Sequence, residues 1–512
     1  MKKFILPVIA ILTVCGFASC QKWLEEKDFT YSISSETFYN TTSEANSAVM
    51  AVLEQMRVSK SANWFSCLEI NTEYIYPKGV YQASGNYAGI TNATHLNRIG
   101  TDWQNLYKAI MFCNTPLSRL PEASEMTKQE IDQFMGEFYF FRAFCYWDLV
   151  RTFGSIPLRT EENMYDWDLP KSSVAEVYSL IESDLLKAIA NCPDRPRYSD
   201  TPSKNAAKAL YAGVCLNLGK YDEAKRYAGE VINSGAYSLI TVTSSEDFAA
   251  KVFGEGISNT SEEIFYLQTS LTDRKTWGYL EFCACSKFYY DGVHRVCGSD
   301  GYYTHYTDLD NPIIARWSDD DLRRGLNIGH YAFSATTYGE NTCLLLKYRA
   351  PSATNWLVEI DIPLLRYTDV LLAYAEACAR TGDMAGAVGA LNQIRRRAYG
   401  KDPMTPDADL DYKASDYGDF NSFLYGALLD EERYERFNEG KHWFFEERLG
   451  IWEEQVKENY RVACPWPRTD MTSIGKDISI AQMCHLWKIP AAEFNYNKAL
   501  DEARDQNPGY TN

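Results

Sequence analysis

Apolar residues recur at intervals of three and four positions over much of this 512-residue chain. That spacing places apolar side chains on one face of an α-helix. One such face follows Thr101, which we take as a helix start, and it comprises Trp103, Leu106, Tyr107, Ile110 and Met111. Because similar faces cover long stretches of the chain, the pattern predicts a mainly α-helical protein.

Two capping boxes predict where further helices begin. In each of them a Ser or Thr hydroxyl and a Glu carboxylate three residues later satisfy backbone N–H groups of the first turn. The boxes run from Thr127 to Glu130 and from Ser173 to Glu176. The first helix should continue to about Phe153, and the second should end before Pro193, which cannot continue a helix.

An internal repeat predicts two helical hairpins. The matched positions are Tyr211-Ala212 with Tyr374-Ala375, Cys215 with Cys378, Gly219 with Gly382, Ala224 with Ala387 and Val231 with Ile394, all at an offset of 163 residues. Each copy has the pattern of a helix, a tight Gly turn and a second helix. Small residues at crossing points let helices approach closely, as in tetratricopeptide hairpins.

The helical pattern weakens between the two copies, over residues 236–361. Residues 263–270 and 344–349 are typical of short strands, set among loops rich in Tyr, Gly and Asp. Residues 400–420 and 464–512 are also mainly loop, while residues 421–439 are predicted as a helix. We therefore expect a helical scaffold, mainly 35–235 and 362–460, that displays loops where recognition usually takes place.

The first twenty residues have the pattern of a bacterial lipoprotein signal. Lys2 and Lys3 precede an apolar run, and small residues lead to Cys20, so we expect cleavage after residue 19 and lipidation of Cys20. No later stretch is long and apolar enough for a membrane span. The chain thus divides into a cleaved signal, residues 1–19, and one body, residues 20–512, without a Pro/Gly/Ser-rich linker.

The charge of the chain is strongly acidic. Its formal net charge is −18, with 51 Lys and Arg against 69 Asp and Glu. Nucleic acids and anionic lipid headgroups are bound by basic patches, so neither is an expected partner. Tyr residues number 36 against 24 Phe, and because Tyr carries a polar tip, this excess favours half-wetted surfaces.

The fourteen cysteines do not form a recognisable framework. Four of them, Cys113, Cys145, Cys215 and Cys378, lie among apolar helical residues and are predicted to be buried thiols. Loop disulfides remain open for Cys283, Cys285 and Cys297, and for Cys464 with Cys484. No cysteine pair has the spacing of a zinc site.

Sequence motifs of catalysis and cofactor binding are absent. The chain contains no Gly-x-Ser-x-Gly elbow, no His-Glu-x-x-His, no phosphate loop and no dinucleotide fingerprint. Residues 407–411 begin like a calcium loop, but Tyr412 and Gly418 stand where Gly and Glu are needed. Adjacent acids such as Asp320-Asp321 and Glu446-Glu447 are interpreted as solvated surface. We therefore expect no enzyme, no cofactor and no metal.

Five ordered motifs carry a resemblance to a known family. They are Trp103-Gln-Asn-Leu-Tyr107 with Asn114, Phe141 to Gly154 with Ile156-Pro157, Ile362 to Glu376, Glu431-Glu-Arg433 with Glu439-Gly440, and Ile489-Pro490 with Gln506 to Tyr510. With them, the chain from Cys20 onward resembles the SusD/RagB family of glycan-utilisation lipoproteins from Bacteroidetes outer membranes. It departs from the family pattern at His442, where the family usually has Arg.

The resemblance implies a SusD-like fold of about four tetratricopeptide-like helix pairs packed against a loop-rich portion. It also implies a protein that is lipid-anchored to the outer membrane and faces the outside. This protein binds glycan and delivers it to a SusC-like TonB-dependent transporter without cleaving it. Two alternatives stay open. The protein is a peptide-capturing or scaffolding lid of the same type of transporter, or it is a surface hydrolase whose two carboxylates converge only in space.

Sugar recognition needs flat aromatic rings beside groups that exchange hydrogen bonds with hydroxyls. Two loop segments offer this mixture, and in the family the loops of these portions furnish the aromatic platform. The candidate glycan-binding residues are Tyr76, Tyr81, Asn86 and Tyr87 in the first segment, and Asp273, Arg274, Trp277, Tyr289, Tyr290, Tyr302 and Tyr303 in the second.

Overall fold

The computed structural model describes residues 38–77, 81, 85, 87–90, 93–270, 272, 277–279, 305–330, 341–353, 358–459 and 483–510. Most of these residues are helical and the strands are short. The prediction of a mainly α protein with a few short strands is therefore confirmed. The lipidation candidate Cys20 lies outside the described residues.

The helices of the described residues vary from one turn to more than seven turns. In chain order they are α1 (Thr42–Ser59), α2 (Ala62–Glu69), α3 (Ala93–Arg119), α4 (Lys128–Phe153), α5 (Val174–Asn191), α6 (Lys204–Asn217), α7 (Tyr221–Asn233), α8 (Ser245–Val252), α9 (Pro312–Arg316), α10 (Leu322–Asn327), α11 (Tyr367–Arg380), α12 (Met384–Ala398), α13 (Phe420–Phe423), α14 (Leu429–Arg436), α15 (His442–Leu449), α16 (Trp452–Asn459), α17 (Ala491–Tyr496) and α18 (Glu502–Asp505). A π-helical turn, Leu424–Leu428, joins α13 to α14.

The long helices pack in pairs, and the pairs stack on one another. Helix α1 packs on α3, α4 on α5, α6 on α7 and α11 on α12, while α5 also contacts α6 and α7 contacts α11. The two repeat hairpins therefore lie side by side, as the small residues predict. At their junction a Cβ added to Gly229 would lie 3.2 Å from the ring of Tyr374, so a larger residue would have to displace that ring.

Three small antiparallel sheets complete the fold of the described residues. The strands are β1 (Tyr76–Pro77), β2 (Ile156–Pro157), β3 (Lys171–Ser172), β4 (Glu263–Leu267), β5 (His305–Asp308), β6 (Ile328–His330), β7 (Thr342–Leu345) and β8 (Ile362–Arg366). They form sheets in the orders β1-β5-β7-β6, β2-β3 and β4-β8. In the first sheet Tyr76 pairs with Tyr306, which joins the two segments predicted for glycan binding.

Helix starts agree with the sequence where the cap is a complete box. Thr127 and Ser173 each accept from the backbone N–H three residues on, and the Glu at that position accepts from the cap, so both predictions are confirmed. The start at Thr101 was wrong because α3 begins at Ala93. The Thr101 hydroxyl instead donates to the carbonyl oxygen of Asn97 at 3.0 Å, which lets a Thr sit inside a helix.

The helix predicted over residues 421–439 ends earlier, at Arg436. Asn438 and Gly440 have φ of +61° and +68°, a left-handed backbone that an α-helix cannot continue. The chain turns there, so that α15 packs back against α14 and against α2.

A buried network of ion pairs ties strands β4 and β8 to α12 and α14. Arg366 donates to Glu435 and Glu439 at 3.1 and 2.6 Å, and Arg397 donates to Glu262 and Glu435 at 2.6 and 2.7 Å. None of these five side chains is more than 2% exposed. Although burial opposes its ionisation, the neighbouring Arg side chains lower the pKa of Glu435 to about 2. Buried charges persist only when paired in this way.

Two acidic residues predicted as solvated surface belong to this interior instead. Asp321 is 2% exposed and accepts from Arg323 at 2.7 Å, and Glu446 is fully buried. Those interpretations were wrong, because the cations that pair with these carboxylates are buried with them: Arg323 with Asp321, and Arg433 and His442 with Glu446.

The cysteines of the described residues are free and buried. Cys113, Cys145, Cys215 and Cys378 are among them, which confirms that these four are buried thiols. Cys484 is also a free thiol here, whereas Cys283, Cys285, Cys297 and Cys464 lie outside the described residues. Among the helices that are described, none combines the length and the apolar character that crossing a membrane requires.

Candidate functional site

The candidate site is a layer of aromatic rings between α2, α3 and the first sheet. Four predicted residues belong to the described part of the chain, and all four are buried: Tyr76, Tyr81, Tyr87 and Trp277 are at most 2% exposed. The other predicted residues, Asn86, Asp273, Arg274, Tyr289, Tyr290, Tyr302 and Tyr303, lie outside the described residues.

The rings of this aromatic layer contact one another edge to face and by stacking. The ring centroid of Trp277 lies 4.9 Å from the ring centroids of both Phe65 and Tyr348. The angles between the ring planes are 72° and 79°. Tyr279 is 5.3 Å from Trp277 and 6.5 Å from His305. Such arrangements are the preferred ones for aromatic pairs, so the layer is a rigid support.

Tyr81 connects the layer to the surface. Its ring stacks on His95 at 4.5 Å, with 22° between the planes, and lies 5.2 Å from His305. Its hydroxyl donates to the side-chain oxygen of Asn63 and accepts from Arg98 at 2.9 Å. The layer therefore ends in polar groups.

Arg98 and Asn63 are the half-buried polar side chains at this edge. Arg98 donates to the Asn63 oxygen at 3.0 Å, and its guanidinium lies 5.7 Å from the centre of the Tyr81 ring. Both side chains keep donor groups beyond these bonds, since Arg has five N–H donors and Asn has two. They can therefore donate hydrogen bonds to ligand hydroxyl oxygens next to an aromatic ring.

The two histidines beneath Tyr81 are held uncharged. Burial lowers the pKa of His95 to about 4, and the adjacent Arg98 guanidinium lowers it further in the same direction. Burial likewise lowers the pKa of His305 to about 3. At neutral pH the positive charge at this edge is consequently that of Arg98.

A C-terminal segment holds the loop that carries Tyr87. The Tyr510 hydroxyl accepts from the Ile90 N–H at 3.1 Å, and Tyr87 accepts at its carbonyl from the Cys484 N–H at 2.9 Å. Gly89 has a φ of +85°, and a Cβ there would lie 2.3 Å from the Tyr510 hydroxyl. Glycine is therefore required for both the backbone conformation and the close approach.

Sequence reasoning identified the aromatic content of this region but missed Asn63 and Arg98. Both residues interrupt apolar faces next to a Tyr-rich loop, which is the signal that could have indicated them. All four described candidates are buried, so a direct contact between their ring faces and a sugar stays a prediction. Of the contacts described above, those of Tyr81 with Asn63 and Arg98 link a predicted residue to the surface.

A buried cluster of Glu73, His442 and Glu446 has the residue types of a metal site, with ligand atoms within 4.8 Å of one another. The Arg433 guanidinium, however, lies 2.8 Å from Glu73 and 3.0 Å from Glu446. This cation already neutralises the oxygens that would bind a metal ion. The donor set therefore fits an ion-pair cluster better than a metal centre.

The acidic residues that begin like a calcium loop bind to other groups of the protein. Both carboxylate oxygens of Asp411 accept from Arg396, at 2.7 and 2.5 Å. Asp407 accepts from the backbone N–H of Asp409 at 3.1 Å, which is an ordinary local turn. These contacts explain the acidic run without an ion.

A stack of helical hairpins that carries an aromatic layer edged by polar groups defines a class of helical-repeat binding proteins. Two family models match the chain, one described as "Starch-binding associating with outer membrane" over residues 22–216 and one described as "SusD family" over residues 263–510. The chain belongs to the SusD/RagB family. This is a glycan-binding family that associates with the outer membrane.

Individual relatives agree with this assignment along nearly the whole chain. SusD-like protein P2 of Formosa agariphila is 26% identical, with 100% of both chains covered. SusD-like protein P38 of the same organism is 24% identical over 481 residues, which cover 87% of this chain and 91% of P38.

Solved structures show the same fold. A SusD homolog from Bacteroides thetaiotaomicron superposes with a TM-score of 0.73 at 20% identity, covering 93% of this chain and 98% of the other. A laminarin binding SusD-like protein superposes with a TM-score of 0.69 at 20% identity, covering 92% and 100%. The predicted SusD-like architecture is thus confirmed.

Proposed function

We propose that this protein is a cell-surface lipoprotein that captures a glycan and delivers it to a SusC-like TonB-dependent transporter of the outer membrane. In this proposal Cys20 carries the lipid anchor, and the protein binds its ligand without cleaving it. The related laminarin binding protein supports a polysaccharide ligand, but the identity of the sugar is left to experiment.

The observation that carries the proposal is the position of Arg98 and Asn63 at the edge of the aromatic layer. Both are half-buried, and they are joined to each other and to Tyr81 by hydrogen bonds. Because these bonds fix the side chains before a ligand arrives, little conformational entropy would be lost on binding. Sugar recognition combines such fixed polar groups with apolar ring surfaces.

Calorimetry with the full chain in detergent and a panel of neutral oligosaccharides from starch, laminarin, xylan and mannan tests glycan binding. We expect one group of sugars to bind and Arg98→Ala to weaken that binding roughly ten- to hundred-fold, since a charge-assisted hydrogen bond contributes about 1.5–3 kcal/mol. Lys108→Ala is the matched control, because it removes an exposed cation from the same helix.

Two outcomes would contradict the proposed ligand. If the wild-type chain binds none of these oligosaccharides but binds peptides, the peptide-capturing alternative is favoured. Release of reducing sugar by the purified chain would favour the hydrolase.

Delivery to a transporter is tested separately, by mild extraction of membranes and co-purification. A barrel partner should accompany the wild-type chain. Cys20→Ala should release the protein from the membrane fraction, because acyl chains on that cysteine are the proposed anchor. Retention of Cys20→Ala in the membrane would show that another element anchors it.

A further inference from the structure

A second group of aromatic residues differs from the buried layer because its rings are exposed to solvent. Tyr165 is 69% exposed, Trp167 is 78% exposed and Tyr496 is 78% exposed. Most large aromatic side chains of the described residues are buried in the core. Exposing three of them in neighbouring segments is therefore costly without a partner that covers them.

The first two rings belong to a run in which aromatic and acidic residues alternate. Residues 165–168 read Tyr-Asp-Trp-Asp, and all four are exposed. Carboxylates accept hydrogen bonds from hydroxyl groups, while flat rings cover the apolar C–H faces of a sugar. The run thus brings together both kinds of contact that a neutral sugar requires.

Hydrogen bonds hold the backbone beneath these rings. Arg159 donates to the carbonyl oxygens of Asp166 and Trp167 at 2.5 and 3.1 Å. On the other side, Asp168 accepts from the Lys498 N–H at 2.7 Å, and the Asn497 side chain donates to the carbonyl oxygen of Leu169 at 2.7 Å.

The same bonds bring Tyr496 next to the run. Tyr496 immediately precedes Asn497, and Asn497 is 2% exposed and also donates to Glu493 at 3.0 Å. Glu493 in turn accepts from the indole N–H of Trp103 at 3.3 Å. The three exposed rings therefore stand on a surface that is anchored to the core helix α3.

This surface is separate from the site at Arg98, although both are anchored on α3. Trp103 follows Arg98 by five residues, which turns it by about 140° around the helix axis, so the two side chains leave α3 on different faces. None of Tyr165, Trp167 and Tyr496 contacts Arg98, Asn63 or Tyr81 in the hydrogen bonds and ring contacts described above. A long polymer can touch two such places, whereas a short oligosaccharide occupies one.

We propose that Tyr165, Trp167 and Tyr496 form a second contact site for the neutral polysaccharide whose shorter pieces bind at Arg98. The inference rests on the proposed function. It adds a site that holds the polymer chain and so raises the apparent affinity for long ligands over short ones. Anionic polysaccharides are disfavoured by Asp166 and Asp168.

A protein partner is the competing occupant, and the composition of the surface argues against it. The centres of protein interfaces are depleted in Asp and Glu, whereas here two exposed carboxylates alternate with the rings. Exposed aromatic rings that alternate with carboxylates on a fixed backbone fit a sugar ligand better than a protein partner.

The test is affinity electrophoresis of the full chain in detergent through gels that contain laminarin, soluble starch, xylan or mannan, with calorimetry on short oligosaccharides of the same polymers. Trp167→Ala and Tyr496→Ala should each weaken retention by the bound polymer about three- to ten-fold. Their affinity for short oligosaccharides should equal that of the wild-type chain. Tyr425→Ala is the control, because it removes the ring of a tyrosine that is 50% exposed and does not belong to the proposed site.

The outcomes separate this inference from the proposed function. If Arg98→Ala weakens binding but the polymer retards Trp167→Ala as strongly as the wild-type chain, the proposed second site is wrong. The proposal of glycan capture then stands. If Trp167→Ala loses the co-purified barrel partner with unchanged polymer retention, the surface is a protein contact and the inference is overturned. If no polymer retards the wild-type chain, both proposals fall.

Discussion

At the residue scale, His442 shows how a single departure from the family pattern is accommodated. Its Nδ1 bonds Glu432, and its Nε2 lies 3.1 Å from Glu446 and 3.5 Å from Glu73. Burial opposes the charged ring, but these three carboxylates outweigh burial and raise the pKa of His442 well above its usual value. An imidazolium therefore stands where the family usually has a guanidinium.

Replacing His442 tests this assignment. His442→Gln should lower the free energy of unfolding by about 3 kcal/mol at neutral pH, because it leaves buried carboxylates short of a cation. His442→Arg should cost less, since it keeps the charge. Denaturant unfolding of the three proteins measures the difference, and equal stability of the Gln and wild-type proteins would contradict the assignment.

The same assignment sets a pH dependence. The pKa of His442 is raised in the folded state, so its stabilising effect is complete below the unfolded value of about 6.5 and is lost as pH rises through the folded pKa. The stability gap between wild type and His442→Gln should therefore narrow in alkaline solution. A gap that widens with pH would show a neutral ring.

Residue-level prediction from the sequence was good for local interactions and poor for distant ones. The capping boxes at Thr127 and Ser173 involve residues three positions apart, so the sequence contains the whole interaction. Glu446 pairs with His442 four residues earlier on the same helix, but it also pairs with Arg433 of α14, across a turn of the chain that no local pattern predicts. The sequence near Glu446 therefore contains one of its two cations but not the other.

At the element scale, the two repeat hairpins turn on glycines with a left-handed backbone. Gly219 and Gly382 have φ of +68° and +82°, and a Cβ at either position would meet no atom within 4 Å. The requirement for glycine is thus conformational and not steric. Matching small residues across the two copies was enough to predict these turns.

Two glycines of the second hairpin should respond in opposite directions to the same substitution. Gly382→Ala should destabilise the protein by about 1 kcal/mol, because alanine strains at positive φ. Gly389→Ala, at an exposed and open position inside α12, should stabilise it by up to about 1 kcal/mol through helix propensity. Thermal unfolding measures both, and shifts of the same sign would contradict the explanation.

Loops were harder to predict than hairpins. The sequence indicated an aromatic-rich binding region, yet Tyr76, Tyr81, Tyr87 and Trp277 are buried. Alternating polar and aromatic residues do not reveal which ring faces are covered, since that depends on sheet pairing and on segments far away in the chain. The exposed rings at Tyr165 and Trp167 went unnoticed for the same reason.

At the scale of the whole molecule, the C-terminal motif fastens segments from the first third of the chain. The Asn507 side chain donates to the carbonyl oxygens of Phe153 and Trp487 at 2.9 and 2.8 Å. Gln506 accepts from the Ile489 N–H at 2.8 Å, and Tyr510 accepts from Ile90. The motif therefore joins the end of α4 and the loop of the candidate site.

Asn507→Ala should lower the free energy of unfolding by about 2–4 kcal/mol, because two buried carbonyl groups would lose their donor. Glu502→Ala, which changes an exposed residue of α18, should change it by less than about 0.5 kcal/mol. Chemical denaturation of both variants provides the measurement. An Asn507 variant as stable as the Glu502 control would show that the fastening contributes nothing.

The bond between Ile90 and Tyr510 spans 420 positions of the chain. A ribosome releases the N-terminal part long before it makes residue 510, so the loop beside Tyr87 cannot acquire its final shape during synthesis. Maturation of the candidate site must therefore wait until residue 510 has been made. For a chain proposed to be exported before it works, this delay keeps the candidate site unfinished until the segment that carries Tyr510 has left the ribosome.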